Sequence, residues 1–408
     1  MSKINIRSFS NENEDGAPDL VGITTFSATL YFVPTRGTTA QRPSEHVEVG
    51  SLRYNYDTKN LEYYRGKTIG WSQFELIDPE LGGRTESAYS LTSSNDGGLG
   101  TRLLLAGGRI SAPAFTDTIE YLTISTLGNT DDFGNLVSSH GNPNSQNGAG
   151  SRTRGIWLGG QLGTSPNYSN VIQAVEFASL GNAFDFGDIN NNLVGNGNLS
   201  SQIRALSFGG SDPSGNKPTQ IDYVTIASTG NAQDFGDMST YVNNTANLAS
   251  STRGIMAGGT VSPTRTNAIQ FVTINTLGNT VDFGDLSVAG SFSSGSTLLH
   301  NAIGYSNSTR GIIHGGRDIN QNHMQVIQYI TIATTGNSLD FGDVAANASQ
   351  QMGGSSPTRG VVAAGASPSA TNAMEFVNIM SLGNASDFGD CTARDEVLGG
   401  CSNGHGGL

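Results

Sequence analysis

The stretch LGNAFDFGD, Leu180 to Asp188, decides the fold because it returns. Near-copies read LGNTDDFGN at 127–135, TGNAQDFGD at 229–237, LGNTVDFGD at 277–285, TGNSLDFGD at 335–343 and LGNASDFGD at 382–390. Their phenylalanines, Phe133, Phe186, Phe235, Phe283, Phe341 and Phe388, are spaced by 53, 49, 48, 58 and 47 residues. A second anchor keeps pace upstream: Arg102, Arg154, Arg204, Arg253, Arg310 and Arg359, spaced by 52, 50, 49, 57 and 49. Both series lengthen at the same step, which marks an insertion near 287–308, between the fourth and fifth copies. A fixed period of this size signals a repeat architecture.

Within one period the residues read as strands. In the fourth copy, TRGIMAGG (252–259) is a short apolar run stopped by Gly-Gly, and a loop of variable composition follows. AIQFVTINTLGN (268–279) then alternates: Ile269, Phe271 and Thr273 point one way, Gln270, Val272 and Ile274 the other. Apolar groups on both faces mark a strand covered on both sides. Gly278-Asn279 reads as a two-residue type II′ hairpin turn, with glycine at the first central position. TVDFGDLSV returns as the next strand, and a segment before the next Thr-Arg supplies a fourth. Four strands in about 50 residues, repeated six times, predict an all-β chain with a six-bladed β-propeller over 83–408. A parallel β-helix has rungs of roughly half this length, and an immunoglobulin-like array needs roughly twice as many residues per unit.

Composition and charge narrow the chemistry. The chain has 408 residues, 55 of them glycine, with only 13% charged, which suits short strands and tight turns. A net charge of −13 makes nucleic acid or an anionic membrane a poor partner. No apolar run of about 18 residues predicts a membrane span, and MSKINIRSFSNENEDG lacks the apolar core of a secretory signal. Cys391 and Cys401 read as buried free thiols.

Asp-Phe-Gly is the triplet by which protein kinases hold magnesium, but a kinase needs it once. Here neither a phosphate-cradling loop with Lys nor a His-Arg-Asp loop accompanies it. The aspartates Asp132, Asp185, Asp234, Asp282, Asp340 and Asp387 are expected to satisfy turn amides, the phenylalanines to anchor the core and the glycines to bend the strand. Paired carboxylates such as Asp185 and Asp188 have the look of a glycosidase pair, but an active site is single and these recur in register. No Asp-box turn and no arginine cluster of the sialidase kind is present. His46, His140, His300, His314, His323 and His405 lack metal-site spacing; His314 and His323 could meet across a strand and loop, but isolated loop or strand histidines are the better reading. Calcium on the Asp- and Asn-rich loops remains a reading without an EF-hand or nonapeptide pattern. The expectation is a chain without enzymatic activity, cofactor or metal. Each repeated arginine is expected to reach an aspartate of the triplet, as Arg253 to Asp282, or a loop carbonyl of its own or the adjacent blade.

The repeats resemble kelch repeats: an apolar run ending in Gly-Gly, a later strand with an aromatic as in IDYVTI (221–226), and a terminal aromatic strand. Phe stands where kelch repeats carry Trp, and the sixth copy reads VVAAG (361–365) in place of Gly-Gly. The likeness implies a fold and no activity. Residues 1–82 differ. FSATLYFVP (26–34) alternates as a half-buried strand, and SLRYNYDTKNLEYYRG reads as a hairpin turning at Asp57-Thr58-Lys59-Asn60, with Trp71 closing a small core. TTAQRPS (38–44), GSLRYNYDTKNLEYY (50–64) and GWSQFE (70–75) resemble a module of bacteriophage structural proteins, tail fibres above all. The downstream repeat is similar to repeats in virion proteins of marine, cyanophage-like phages. The resemblance implies a virion protein whose N-terminal module docks to other virion proteins. The propeller would then meet a host surface ligand, without nucleic acid or membrane insertion, and as a homo-oligomer in the particle. A structural virion part such as a tail nozzle, collar or capsid-surface decoration is the alternative. SAYSLTSSNDG (87–97) reads like a first strand, and EVLGGCSNGHGGL (396–408) like the first strand of a seventh copy. The latter is expected to pack beside the first repeat and close the array.

Overall fold

A computed structural model describes residues 34–43, 47–67, 70–73, 101–111, 114–141, 148–163, 168–287, 298–345, 349–366, 369–394 and 397–408. The readings at 26–33 and 87–97, and the inserted residues 288–297, lie outside these. Among the described residues the chain is all-β, and its one helical segment is a single 3-10 turn at Thr39–Gln41. The chain divides into two compact units, Met1–Glu75 and Leu76–Leu408; the expected boundary was residue 82.

The N-terminal unit carries one four-stranded sheet. Thr35–Gly37 pairs in parallel with Arg53–Asn55, and Leu52–Asn55, Asn60–Tyr64 and Trp71–Gln73 follow antiparallel. The hairpin turns over residues 56–59, because Asn60 already pairs with Asn55, one residue earlier than expected. Two words of the sequence meet on one carboxylate. Glu62, buried, accepts from Arg42 and from Asn55 Nδ2 (2.8 Å), and Arg53 lies 3.6 Å away. Burial raises the Glu62 pKa, but the hydrogen bonds of Arg42 and Asn55 and the two guanidinium charges outweigh it, so the carboxyl stays below its ordinary value. Trp71 packs on Tyr64, 5.4 Å between ring centres, and its indole N–H donates to the Pro43 carbonyl at 3.0 Å.

The C-terminal unit is built from six similar four-stranded antiparallel modules, I to VI. Module IV is typical: Ala246–Ala249, Arg253–Ala257, Ala268–Thr273 and Val281–Asp285, in that spatial order. Modules II and III share one sheet because the strand Phe184–Ser200 ends II and begins III. Module I takes its first strand from the C-terminus: Gly399–Ser402 pairs with Leu103–Ala106, as the sequence suggested. Asn403 completes the join, its Oδ1 accepting the Arg102 N–H at 2.8 Å. In modules II to VI the same bond comes from a residue three positions before the arginine, such as Ser250 to Arg253 (3.1 Å).

The double-sided apolar pattern has a direct cause. Side chains of alternating residues pack against the preceding and the following module. In module I, Leu103 and Leu105 join Met352, Val361 and Phe388 of module VI, while Leu104 and Ala106 join Trp157 and Phe177 of module II. Six such clusters fill six seams, and one of them joins VI to I. The first strands touch in the order Ala149–Gly150, Phe184–Ser200, Ala246–Ala249, Ile303–Ser306, Met352–Ser355, Gly399–Ser402, and the last touches the first.

Gly-Asn is not a two-residue hairpin turn. Residues 274–280 separate the third and fourth strands of module IV, and Gly278-Asn279 reaches the preceding module instead. The Gly278 N–H donates to the Phe235 carbonyl at 2.9 Å, and Asn279 Oδ1 accepts the Asp237 N–H at 2.9 Å. The glycine of Asp-Phe-Gly serves this approach: a Cβ on Gly284 (φ +147°) would sit 2.5 Å from the Gly336 carbonyl oxygen of the next module.

Candidate functional site

The repeated residues are the first candidates, and the structure spends them between modules. Each repeated arginine donates to a carbonyl at the end of the next module's third strand. Arg102 reaches Phe177, Arg154 Ile226, Arg204 Ile274, Arg253 Ile332, Arg310 Ile379 and Arg359 Ile124, at 2.6–3.1 Å. The guanidinium also lies over an aromatic ring of its own module, as Arg253 over Phe271 at 4.7 Å. Of the two expected acceptors the carbonyl is the one used. Among the described residues no repeated arginine pairs with the aspartate of the triplet, and Arg154 pairs with Glu176 at 2.8 Å.

Phe133, Phe186, Phe235, Phe283, Phe341 and Phe388 are buried at the seams. In five modules they meet the third-strand aromatic edge-on, as Phe283 meets Phe271 at 5.9 Å. The aspartates are exposed. Asp185 and Asp234 accept the N–H of the glycine two residues on, both at 3.1 Å. Among the described residues no group of three His, Cys, Asp or Glu is arranged to hold a metal ion.

A further repeated position escaped the sequence reading. Glu120, Gln173, Asp222, Gln270, Gln328 and Glu375 occupy one third-strand position, all buried and polar. Each latches the chain leaving the preceding module. Gln173 accepts the Val137 N–H (2.7 Å), Asp222 that of Asn190 (3.0 Å), Glu375 that of Ala345 (2.6 Å), and Glu120 that of Thr392 (3.3 Å). Gln328 works through Ser338, whose hydroxyl accepts the Ser287 N–H. The polarity was visible at Gln270, but its partner lies in another repeat, so no local signal identified it.

Two buried networks extend these latches. Arg394, wholly buried, pairs with Glu120 at 2.7 Å at the seam of VI and I. At the seam of V and VI, His314 Nε2 lies 2.7 Å from Glu375 and its Nδ1 3.0 Å from the Tyr305 hydroxyl. Burial pushes the Tyr305 pKa well above its ordinary value. This Tyr–His–Glu row is closed to solvent, the His314 and Glu375 side chains being 0% and 5% exposed. It supplies the polar partners that a buried imidazole and carboxylate require.

The first strands enclose a narrow space of about 40 Å³, room for a few waters. Its girdle is a repeated hydroxyl. Ser306 donates to the Ala249 carbonyl (2.6 Å), Ser355 to Ser306 (2.7 Å), Ser402 to Ser355 (2.6 Å) and Ser200 to Gly150 (2.9 Å). The C-terminal residues run across one end. His405 Nε2 lies 2.9 Å from the Gly150 carbonyl, the Gly406 N–H donates to Ser306, and the Gly407 carbonyl accepts from Gln202. Cys401 and Cys391 are buried free thiols, and burial pushes the Cys391 pKa up to about 12.

The opposite ends of the strands carry the loops that vary. In an antiparallel module the connections from second to third strand and from fourth strand to the next module share one end. Here they are bonded together: Thr260 N–H to Asn243, Arg317 N–H to His300 and Ala366 N–H to Ser349, at 2.8–2.9 Å. Arg265, His300 and Arg317 gather on this side, between modules IV and V. His300 is 3% exposed, and its pKa falls to about 4 through burial and then the charges of Arg265 and Arg317, against hydrogen bonds from the Arg317 backbone and Gln321.

No family model matches this chain, and no curated protein matches it.

Proposed function

We propose that the chain is a non-enzymatic virion protein of a bacteriophage, most specifically a tail fibre or related appendage component. The N-terminal unit docks to other virion proteins. The C-terminal unit is a six-bladed, kelch-like β-propeller that presents loops to a host surface ligand, and the protein acts as a homo-oligomer in the particle. One observation carries the reading: the repeat-matched side chains are spent on contacts between modules. Arginine to carbonyl, asparagine to amide and the third-strand latch recur from each module to the next, and from VI to I. Six similar seams with the sixth joined to the first support a closed ring of blades, which leaves no free sheet edge. The diversity lies elsewhere, in loops such as TVSPTRTNA and RDINQNHMQV, where a rigid scaffold holds variable recognition surfaces. The docking role rests on the resemblance of the words at 38–75, whose residues Arg42, Arg53 and Glu62 form one ion-pair network.

The test is binding of the purified full chain to the cells the phage infects, together with its place in an electron microscopy map of the particle. Saturable binding that competes with infection is expected. Absence of binding, with the protein enclosed by other virion components, overturns attachment and leaves the nozzle, collar or decoration reading.

A further inference from the structure

The cluster at modules IV and V has features that the architecture does not use. Arg265 follows the Gly-Gly of module IV, Arg317 follows that of module V, and His300 lies on the connection between them. Buried nitrogens on all three lack a hydrogen-bond partner among the described residues: Arg265 Nε, His300 Nδ1 and Arg317 Nε. Neither arginine forms an ion pair among the described residues, in contrast to Arg154 and Arg394. Two half-buried guanidinium groups acting on one buried imidazole repel its proton, and burial lowers the Arg317 pKa with no carboxylate to offset it. Such a concentration of unpaired donors, in a chain of net charge −13, is a site arranged for an anion.

The neighbours define the rest of the ligand. Asn243 Oδ1, Asn244 Oδ1 and Thr260 Oγ1 are also buried without a hydrogen-bond partner among the described residues. Asn243 and Thr260 face one another in a bridge on the same side of module IV. Amide and hydroxyl oxygens beside cationic donors match a molecule that carries both an oxyanion and hydroxyl donors. A bare phosphate or a neutral sugar fits only half of this set.

We propose that Arg265 and Arg317 bind the acidic group of an anionic saccharide, while His300 Nδ1, Asn243, Asn244 and Thr260 accept its hydroxyl protons. The inference rests on the attachment reading above and names its ligand class. Guanidinium forks hold a carboxylate or sulfate group in two-point contact, and the neutral His300 imidazole accepts a hydroxyl proton at its unpartnered Nδ1. The shared chemistry is an oxyanion on a polyhydroxylated ring.

The experiment is calorimetric titration of the full chain with four probes: an oligogalacturonate for carboxylate, a sulfated oligosaccharide, a neutral maltooligosaccharide and inorganic phosphate. One acidic probe is expected to bind at least tenfold more tightly than the neutral sugar and than phosphate, and the tighter of the two identifies the acid. Arg317→Gln and Arg265→Gln are each expected to weaken it at least tenfold. Arg317→Lys, which keeps the charge but loses the fork, is expected to fall between, and the melting temperatures of all three should stay within a few degrees of the parent. No binding of either acidic probe overturns the site. So does binding undiminished in the variants, and phosphate bound as tightly as the sugars overturns the saccharide assignment. Saccharide binding without binding to host cells would overturn attachment while leaving this site standing.

Discussion

Phe388→Ala tests whether the seam of modules VI and I is equal to the other five. Phe388 is 2% exposed, and its cluster draws Leu103, Leu105, Leu122 and Ile124 from module I as well as Met352, Val361 and Met374 from module VI. Phe235 has the same exposure and the same position, between modules III and IV, where the chain is continuous. Truncating a fully buried Phe to Ala costs about 3–5 kcal/mol through lost transfer energy and the cavity left behind. If module I supplies half of the wall around Phe388, an unformed seam would have exposed half of that ring already. The substitution would then cost only about 1–2 kcal/mol. Urea unfolding of Phe388→Ala and Phe235→Ala, followed by circular dichroism, compares the two directly, with unchanged slope as the check that both report the same transition. Costs within about 1 kcal/mol of each other are expected. A cost below about 1.5 kcal/mol for Phe388→Ala, beside about 4 for Phe235→Ala, would refute the equivalence of the sixth seam.

Other outcomes follow from the same contacts. Arg253→Ala should cost about 1.5–3 kcal/mol for its charged hydrogen bond to the Ile332 carbonyl; a double-mutant cycle should show coupling above about 0.5 kcal/mol with Phe271 and additivity with Asp282. His140 and His300 are buried, and their pKa values fall from 6.5 to about 4, so the unfolded chain binds more protons between those values. Stability is therefore complete above about pH 6.5 and is lost as pH falls towards 4, by up to about 3 kcal/mol per histidine, and urea midpoints at pH 7.5 and 5 that coincide would contradict this. Glu62→Gln leaves Arg53, 5% exposed in its side chain, without its carboxylate, and should destabilise the N-terminal unit by about 3–5 kcal/mol while the melting of the C-terminal unit, followed by its own hydrogen-exchange protection, stays unchanged.

The repeat period and the two-sided strands were legible because they are local. Ile269, Phe271 and Val272 declare a strand and its covered faces within six residues. The C-terminal strand was legible because it carries the words of a first strand. What failed was the reading of Gly-Asn as a local turn and of the triplet aspartate as a partner of the arginine. Gly278-Asn279 looks like a hairpin turn from its residue types, yet both backbone and side chain serve the preceding module. The repeated arginine has its acceptor about 70–80 residues ahead, in a backbone carbonyl that any residue supplies, so no residue type in the sequence marks it. The cluster of Arg265, His300 and Arg317 was equally hidden. Its members are scattered over variable loops, and only the register of modules IV and V brings them together.

Module II shows that the repeat preserves filled space and not residue identity. Its third strand has Ala174 where the other modules have Tyr121, Tyr223, Phe271, Tyr329 and Phe376. The ring is restored from across the hairpin: Phe184 pairs with Ala174, and Arg154 lies over it at 5.4 Å. In module IV the same pair is Val281 with Phe271, so the larger member has moved from one strand to its partner. The guanidinium keeps its aromatic face because opposed residues in an antiparallel pair have Cβ atoms about 5 Å apart. Phe184→Val alone should therefore cost about 1–3 kcal/mol, as the platform of Arg154 and part of the seam to module III are lost. Adding Ala174→Phe rebuilds the arrangement of module IV and should return at least half of the loss, although Ala174→Phe alone should destabilise by crowding the ring already there. Thermal and urea unfolding of the three variants gives the coupling directly. If the double variant is no more stable than Phe184→Val, the two arrangements are not interchangeable, and module II is held by contacts other than this ring.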